Sequence, residues 1–340
     1  MRRSRLLSRL KALDDQGIRR RLSPLTPTGP TTALLDGRPV DVFSSNDTLG
    51  LAWELRDSWR GAGTGSSRLI SGDRPAHHAL EAALQERFGQ RALVFSSGYQ
   101  ANLAVLTTLF EPGQRVASDA LNHASIIDGL RLARCEKTVV PHLESPPAGV
   151  DGYVFESLYS MDGDRGVPHR GPGDPWLVVD AAHSVGTAEP PDHDVLIGTF
   201  GKAFGAAGAF VCGPDALIEL LISRGRSFVY TTGLAEPAAA AALEGLHRAT
   251  DERAERLRDR VRRFRAGVPG AHGQDHIVPV VLGERTMQAA SALLDAGVYV
   301  PGIRWPTVAQ GQERLRFSLS AAHTDDQIDR ALEVLQTQLC

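Results

Sequence analysis

The stretch WLVVDAAHSVGTAEPPDHDVLIGTFGKAFGAAGAFVCG, residues 176–213, contains three short apolar runs, WLVVD, DVLIGTF and GAFVCG. RALVFSS (91–97) and GYVFESLYS (152–160) have the same character. Segments with helical periodicity stand between such runs, among them PAHHALEAALQERFG, which ends on Gly89, and GYQANLAVLTTLF. Continuously apolar strands that alternate with helices are typical of a mainly parallel sheet covered on both faces. The sequence therefore predicts an α/β fold with a mainly parallel central sheet.

The helical segment EPAAAAALEGLHRATDERAERLRDRVRRFRAG (236–267), one long helix or a broken pair, separates this region from the rest. After it, HIVPVVLG, VYVPGI and RLRFSLS predict strands, and 286–296 and 324–338 predict helices. We therefore expect a large domain over 46–240 and a smaller α+β domain over 241–340. Residues 1–45 would form an N-terminal arm. Its first turns predict a packed helix, because leucines recur there at helical spacing: Leu6, Leu7, Leu10 and Leu13.

Composition excludes several classes of protein. The formal net charge of -3 gives no electrostatic reason to expect binding to nucleic acid. No apolar run approaches the length of a membrane span, so we expect no membrane association. Cys135, Cys212 and Cys340 lie far apart and form neither a metal-binding spacing nor a disulfide framework. This usage suits a reducing cytoplasm, and we expect no metal site.

One lysine stands in unusual surroundings. Only three of the 37 basic residues are lysines, and Lys202 lies in the apolar, glycine-rich stretch GTFGKAFGAAGAF (198–210). Arginine cannot replace lysine where a primary amine must lose its proton or form an imine. A chance lysine at a strand end is the alternative interpretation of this residue.

The ends of the predicted strands carry the remaining polar groups, and ligands of open α/β sheets bind beyond the carboxyl ends of the strands. Asp180 ends WLVVD and is followed by His183, while Thr199 ends DVLIGTF. In VFSSGY a strand leads into a helix at Gly98, where free N–H groups suit a phosphate. Singly, Asp180 could be a helix cap and His183 a structural hydrogen-bonding residue. Together with Lys202, they match the requirements of pyridoxal 5'-phosphate: an amine, an acid for the ring nitrogen and a phosphate site.

Two other phosphate motifs fail. GTFGKA lacks the glycine offset of a P-loop, and alanine follows its lysine. GTGSSRLISG is rich in glycine but has neither the P-loop lysine nor the dinucleotide-binding fingerprint.

From about residue 19 to its end, the chain resembles the α-oxoamine synthases, which are pyridoxal-phosphate enzymes of the aspartate-aminotransferase-like fold type I. The resemblance lies in an ordered series of stretches: SSNDTLGL, GTGSSRLISGDRPAHHALE, FSSGYQAN, LNHASIIDG, SLYSMDGD, VVDAAHSVG, TFGKAFGAAGAF and IRWPTVAQGQERLRFSLSAAHT. Within the family, the last stretch is most similar to the members that condense L-alanine with a pimeloyl thioester.

The resemblance implies roles for the site. Lys202 would bind the cofactor and later remove the α-proton of the amino acid, and Asp180 would pair with the ring nitrogen. His183 and Ser160 would hydrogen-bond the phenolic oxygen of the ring. The other implied cofactor contacts, the last two of them across a dimer interface, are Gly98, Tyr99, Thr199, Thr231 and Thr232.

The implied substrate contacts are His123, which would stack on the ring and approach the thioester carbonyl, and Arg19, Arg304 and Thr307. For Arg19, a solvated charge run is an equal alternative. The implied protein is a homodimeric acyltransferase whose acyl donor is carried by coenzyme A or by an acyl carrier protein. Its rivals use glycine with acetyl-CoA or serine with a long-chain acyl-CoA. A catalytically dead scaffold is disfavoured, because Lys202, Asp180, His183 and His123 are all present.

The chain departs from the family pattern at three places. Thr48 stands where an aromatic residue is usual, and Ala181 replaces an acid that commonly follows the ring-pairing aspartate. The segment 184–198 is shorter than in the family. None of these changes removes a group that the chemistry needs, but they leave the shape of the substrate pocket open.

Overall fold

The computed structural model describes residues 2–20, 22–57, 61–171 and 173–339. The chain begins with helix α1 (Arg2–Asp15), as its leucine spacing predicts. However, the four leucines are between 38% and 59% exposed, so the described part of the chain does not cover this apolar stripe, and the packing expected for the helix remains a prediction. Its nearest recorded link to the body of the chain is a hydrogen bond from Arg20. An apolar stripe at helical spacing predicts a helix but not the surface that covers the stripe.

A small antiparallel sheet follows, which the sequence did not predict. Its strands are β1 (Leu25–Pro27), β2 (Thr32–Leu35) and β3 (Arg38–Val42). Asp36 and Gly37 both have positive φ in the two-residue turn between β2 and β3, as a tight hairpin turn requires. Strand β3 also pairs in parallel with a short strand near the C-terminus, β12 (Val298–Tyr299). The N-terminal segment is therefore tied to the C-terminal part of the fold.

The next part of the chain builds the large sheet and its helices. Its strands are β4 (Arg91–Phe95), β5 (Arg115–Asp119), β6 (Glu136–Val140), β7 (Gly152–Glu156), β8 (Trp176–Asp180), β9 (Val195–Thr199) and β10 (Ala209–Gly213). Its helices are α2 (Leu51–Leu55), α3 (Pro75–Phe88), α4 (Gly98–Leu109), α5 (Ala124–Ala133), α6 (Asp215–Arg224), α7 (Arg226–Val229) and α8 (Glu236–Arg248). A short π-helical turn covers Arg68–Gly72.

The sheet has the order β4-β10-β9-β8-β7-β5-β6. Strand β10 is antiparallel to both of its neighbours, and the other recorded pairs are parallel. All five residues of β7 and of β10 are buried, because helices cover both faces of the sheet. The predicted α/β fold with a mainly parallel sheet is confirmed. Strands β5 and β6 were not predicted, since charged and exposed residues interrupt their apolar pattern.

The C-terminal part contains α9 (Asp251–Ala266), β11 (Ile277–Val281), a 3-10 turn (Gly283–Arg285), α10 (Thr286–Asp295), β12, β13 (Gly302–Ile303), β14 (Arg314–Ser318) and α11 (Asp325–Leu339). Strands β11, β14 and β13 form an antiparallel sheet. Helices α8 and α9 are the broken pair that the sequence allowed. The proposed domain boundaries at 45 and 240 remain a prediction. Residue 241 lies inside α8, which packs on α2 and α3, and the helix breaks at 249–250.

None of the helices in the described ranges combines the length and apolar character that crossing a bilayer requires.

Helix α8 approaches the turn after β9 closely at Gly245. A Cβ atom at this position would lie 2.1 Å from the carbonyl oxygen of Phe204. Gly245→Ala should therefore lower the free energy of unfolding by about 1–3 kcal/mol, because a backbone carbonyl cannot rotate away like a side chain. Urea unfolding of the purified protein measures the change. Gly171→Ala is the matched control, since a Cβ there meets nothing within 4 Å. Equal unfolding midpoints for the two variants would contradict the close approach.

Candidate active site

A cavity of about 230 Å³ lies at the carboxyl edge of the large sheet. The carboxyl ends of parallel strands meet at one edge, so residues distant in sequence converge there. The predicted residues that line it are Gly98, Tyr99, His123, Ser160, Asp180, His183, Thr199 and Lys202. Asn102, Ser125, Glu156 and Ala182, which the sequence did not single out, complete the wall.

Lys202 lies in the turn between β9 and β10, beside the fully buried rings of Phe200 and Phe204. Burial lowers the pKa of Lys202 to about 8, although the carboxyl groups of Asp180 and Glu156 act in the opposite direction. About a tenth of this amine is therefore unprotonated at pH 7, far more than for a lysine in water. Such an amine can react as a nucleophile and accept a proton.

Asp180 ends β8 and is buried in the cavity wall. Its Oδ1 accepts a hydrogen bond from the backbone N–H of Ala182 at 3.0 Å, and its Oδ2 accepts one from Nδ2 of Asn102 at 2.7 Å. These two donors fix the orientation of the carboxylate. The arrangement suits a carboxylate that must hold one protonated ring nitrogen.

Glu156 stands opposite Asp180 in the register of β7 and β8. Its Oε1 accepts the backbone N–H of His123 at 2.6 Å. Burial, followed by the neighbouring carboxylate of Asp180, raises the pKa of Glu156 well above its usual range. The pair therefore holds a proton more tightly than two separate carboxyl groups would. No pattern in the sequence marks Glu156 beyond its place at the end of an apolar strand.

His183 is buried beside Lys202 and Arg316. Burial and these two cations lower the pKa of its imidazole well below the usual range. His183 is therefore a neutral ring at physiological pH. In that form it can donate one hydrogen bond and accept another, which suits contact with a phenolic oxygen.

The N-terminus of α4 forms one end of the cavity. The Ser97 hydroxyl accepts the N–H of Gln100, and the first N–H groups of a helix, those of Gly98 and Tyr99, have no partner within it. These groups can bind a phosphate. Thr199 also lines the cavity, but its hydroxyl donates to the carbonyl of Gly208 at 2.9 Å and accepts the N–H of Gly201 at 3.2 Å, so it has no proton left to donate to a ligand.

Thr231 and Thr232 lie beside this helix end but outside the cavity wall that the described residues form. The Thr231 hydroxyl accepts a bond from Gln100 Nε2 at 3.3 Å, and the Thr232 carbonyl accepts one from the Ser96 hydroxyl. Their predicted contact with a phosphate across a dimer interface stays a prediction.

A second cavity, of about 650 Å³, shares Ser160 with the first and includes Thr307 and Trp305 in its wall. Arg20 donates from Nη2 to the Thr307 hydroxyl at 3.1 Å. Arg19 instead pairs with Asp14 at 2.7 Å, and Arg304 is exposed outside this wall. The structure thus brings Thr307, but neither Arg19 nor Arg304, to the second cavity.

Arg316 is a functional candidate that the sequence analysis missed. It is 6% exposed, and burial lowers the pKa of its guanidinium to about 10. Its Nε donates to the carbonyl of Ser160 and its Nη2 to Oδ1 of Asn46 at 3.3 Å. It forms no ion pair with an acid of the described residues. A buried guanidinium without a counter-ion fits a carboxylate ligand. An arginine inside the apolar run RLRFSLS was the available signal.

These groups fit pyridoxal phosphate. The cavity holds a lysine amine of lowered pKa, a carboxylate fixed by two donors, a neutral imidazole and a helix N-terminus. No cluster of metal-binding side chains occurs in the parts of the chain that the structure describes. Cys135 and Cys212 are free thiols, and Cys340 lies outside the described residues.

Comparison with known proteins agrees with this chemistry. The model of the family "Aminotransferase class I and II" matches residues 42–175 and 170–335. The 8-amino-7-oxononanoate synthase of Methylococcus capsulatus is 41% identical, with 90% of each chain covered. That of Alkalilimnicola ehrlichii is 40% identical, with 88% of each chain covered.

Among solved structures, serine palmitoyltransferase of S. paucimobilis with bound pyridoxal phosphate has a TM-score of 0.87 and 27% identity, covering 98% of this chain and 96% of that one. The 8-amino-7-oxononanoate synthase of Francisella tularensis has a TM-score of 0.76 and 26% identity, covering 88% and 98%.

These likenesses define an enzyme of the pyridoxal-phosphate-dependent fold type I. The chain belongs to the aminotransferase class I and II family and, within it, to the α-oxoamine synthases. Its cofactor is pyridoxal phosphate. The family, the fold class and the cofactor that the sequence predicted are confirmed.

The lowered pKa of Lys202 predicts how stability depends on pH in the cofactor-free protein. The folded state binds fewer protons than the unfolded chain between about pH 8 and pH 10.5, so the free energy of unfolding rises with pH in this window. At pH 7 the buried amine costs about 3 kcal/mol. Lys202→Met should therefore stabilise the cofactor-free protein by this amount at pH 7, and the difference should vanish near pH 10.5.

Urea unfolding at several pH values measures this effect. Lys137→Met is the matched control, because Lys137 lies exposed on β6. A gain in stability that does not change with pH would show that Lys202 is not desolvated.

Proposed function

We propose that the enzyme catalyses the decarboxylative condensation of L-alanine with a pimeloyl thioester. The products are 8-amino-7-oxononanoate, carbon dioxide and the free thiol, and the reaction belongs to biotin biosynthesis. The observation that carries the proposal is a site of two compartments: the cavity at Lys202 adjoins the larger cavity at Ser160. The identity of about 40% to enzymes named 8-amino-7-oxononanoate synthase supports this choice of substrates.

The amino acid would bind in the smaller compartment. Arg316, buried and without a counter-ion, is the group for its carboxylate, and Asn46 holds the guanidinium in place at 3.3 Å. Arg316 would bind this carboxylate through charge-assisted hydrogen bonds and would form no covalent bond to the group that leaves as carbon dioxide.

Pyridoxal phosphate, when bound, supplies an aldehyde that reacts with amines and a ring that withdraws electrons from the α-carbon. Lys202 would bind it and then accept the α-proton, a task that suits a pKa of about 8. Asp180 would hold the proton of the ring nitrogen. Ser160 and His183 would hydrogen-bond the phenolic oxygen, and the N-terminus of α4 with Gly98 and Tyr99 would hold the phosphate.

The acyl group would occupy the second cavity. Its volume of about 650 Å³ is large for an acetyl group, which disfavours glycine with acetyl-CoA. Its wall carries the hydroxyl of Thr307, the guanidinium of Arg314 and the carboxyl of Asp162, the last two paired at 2.6 Å. Such polar groups suit a chain with a polar far end better than a purely apolar chain, because an apolar chain would exclude water from them without offering a hydrogen bond in return.

We also propose a homodimer with shared sites, in which Thr231 and Thr232 reach the partner's phosphate and the exposed leucines of α1 meet a second chain. A two-fold axis is the simplest arrangement. Sedimentation of the holoenzyme reports the oligomeric state directly. We further propose that the acyl group is carried by coenzyme A or by an acyl carrier protein, and that the enzyme is cytoplasmic.

The substrate pair is tested by a product assay that crosses amino acids with thioesters. We expect the highest kcat/KM for L-alanine with a pimeloyl thioester. Glycine should replace L-alanine with only partial loss, since one methyl group discriminates by about 1–3 kcal/mol. If kcat/KM were highest for glycine with acetyl-CoA, or for serine with palmitoyl-CoA, the proposed substrates would be wrong and the enzyme would catalyse another reaction of the α-oxoamine synthase family.

A second prediction decides which arginine of the N-terminal arm contacts the acyl substrate. Because Arg20 bonds to Thr307 while Arg19 pairs with Asp14, we expect Arg20→Ala to raise the KM of the thioester about three- to tenfold. The KM of L-alanine should not change. Arg19→Ala is the matched variant. A rise in the KM of the thioester for Arg19→Ala alone would restore the assignment that the family resemblance implied.

A further inference from the structure

A buried chain of hydrogen bonds connects Asp180 to His123 through Asn102, which also orients Asp180, and through Ser125, which has no role in the site as described above. Asn102 is 2% exposed and Ser125 is 0% exposed. Asn102 Nδ2 lies 2.7 Å from Asp180 Oδ2 and 2.9 Å from Ser125 Oγ. Ser125 Oγ lies 2.8 Å from Nδ1 of His123. The chain therefore connects the carboxylate at the ring nitrogen with the histidine at the face of the ring.

The direction of each bond follows from the carboxylate. An Asp180 that pairs with a protonated ring nitrogen is ionised and can only accept hydrogen bonds. It therefore requires the amide nitrogen of Asn102, because the reversed amide would place an oxygen against a carboxylate. This orientation is kept although the amide oxygen of Asn102 is buried without a partner among the described residues. The two protons of Nδ2 then go to Asp180 and to Ser125.

Since Ser125 Oγ accepts from Asn102, its own proton is free to be donated to Nδ1 of His123. The backbone N–H of Ser125 also points to Nδ1, at 3.3 Å, and a backbone N–H can only donate. Nδ1 therefore faces two donors and must be the unprotonated nitrogen. The neutral ring then carries its proton on Nε2, which has no partner within the described residues.

We propose that Asn102 and Ser125 are positioning residues that hold His123 in the tautomer with its proton on Nε2. His123 is exposed at the mouth of the cavity. In this tautomer it presents a hydrogen-bond donor to an incoming acyl carbonyl. The choice of an acyl carbonyl as the partner of His123 rests on the proposed function. The assignment of the tautomer does not.

Nitrogen-15 NMR of the holoenzyme, labelled at histidine, measures the tautomer without substrate. The His123 signals are assigned by their loss in His123→Gln. We expect an unprotonated Nδ1 and a protonated Nε2 in the wild type. Ser125→Ala removes the hydroxyl donor and should shift the ratio of tautomers about two- to tenfold towards Nδ1–H, the effect of one hydrogen bond. Ser125→Thr, which keeps the hydroxyl, should restore the ratio.

Two further variants separate this role from a purely structural one. Asn102→Leu keeps the size of the side chain and should shift the ratio in the same direction as Ser125→Ala. Ser118→Ala is the matched control: Ser118 is also buried and accepts from an asparagine, Asn122, at 3.0 Å, but it contacts no imidazole. It should leave the His123 signals unchanged.

Kinetics give the second measurement. In Ser125→Ala the kcat/KM of the thioester should fall in proportion to the fraction of His123 that carries its proton on Nε2, while the KM of the amino acid stays constant. A wild-type His123 with its proton on Nδ1 would overturn the proposal. So would a Ser125→Ala variant whose His123 signals match those of Ser118→Ala. A wrong acyl substrate would disturb only the kinetics, and the NMR result would stand.

Discussion

The burial of one primary amine is the constraint on which the site depends. The turn around Lys202 packs its two phenylalanine rings into the core, and helix α8 presses against the same turn at Gly245. This packing removes water from the amine and lowers its pKa to about 8. A looser turn would leave an ordinary surface lysine. The apolar surroundings of Lys202 in the sequence are therefore the cause of the lowered pKa of its amine.

The ionisable groups around this amine differ in how the protein shifts their pKa values. Asp180 is held by two donors, the pKa of Glu156 beside it is raised by burial and by Asp180, and the pKa of His183 is lowered by burial and by the neighbouring cations. Arg316 keeps its charge without a counter-ion. These groups lie in a low-dielectric environment, where electrostatic interactions are strong. The phosphate of the cofactor adds negative charge beside them, and under the proposed function the carboxylate of the amino acid would add more.

Local sequence patterns could predict the parts of this site that lie within one strand–turn–helix unit. The apolar strand ending in Asp180 and the lysine between glycines are examples, and they indicated the fold class and the cofactor, while the family followed from the resemblance of eight ordered stretches. The residues that escaped prediction depend on contacts between distant segments. Arg316 becomes a site residue only because β14 lies beside Ser160 and Asn46, and Asn102 only because α4 crosses the end of β8. Likewise, β3 forms its sheet with a strand more than 250 residues away, and no local periodicity reports such a pairing.

The pairing of β3 with β12 has a mechanical consequence. Phe43, directly after β3, packs against Phe317 of β14 with ring centroids 5.9 Å apart, and Asn46 bonds to Arg316 on the same strand. The segment from β1 to Asn46 is therefore attached to the C-terminal sheet rather than to the large sheet. Any rotation of the C-terminal sheet towards the cofactor would move Asn46 and Arg316 together as a rigid unit. The hydrogen bond from Arg316 to the Ser160 carbonyl would then be a contact between this moving unit and the part of the fold that holds the large sheet. The proposed contact of Arg316 with the amino acid and the entrance of the second cavity would then close in the same movement.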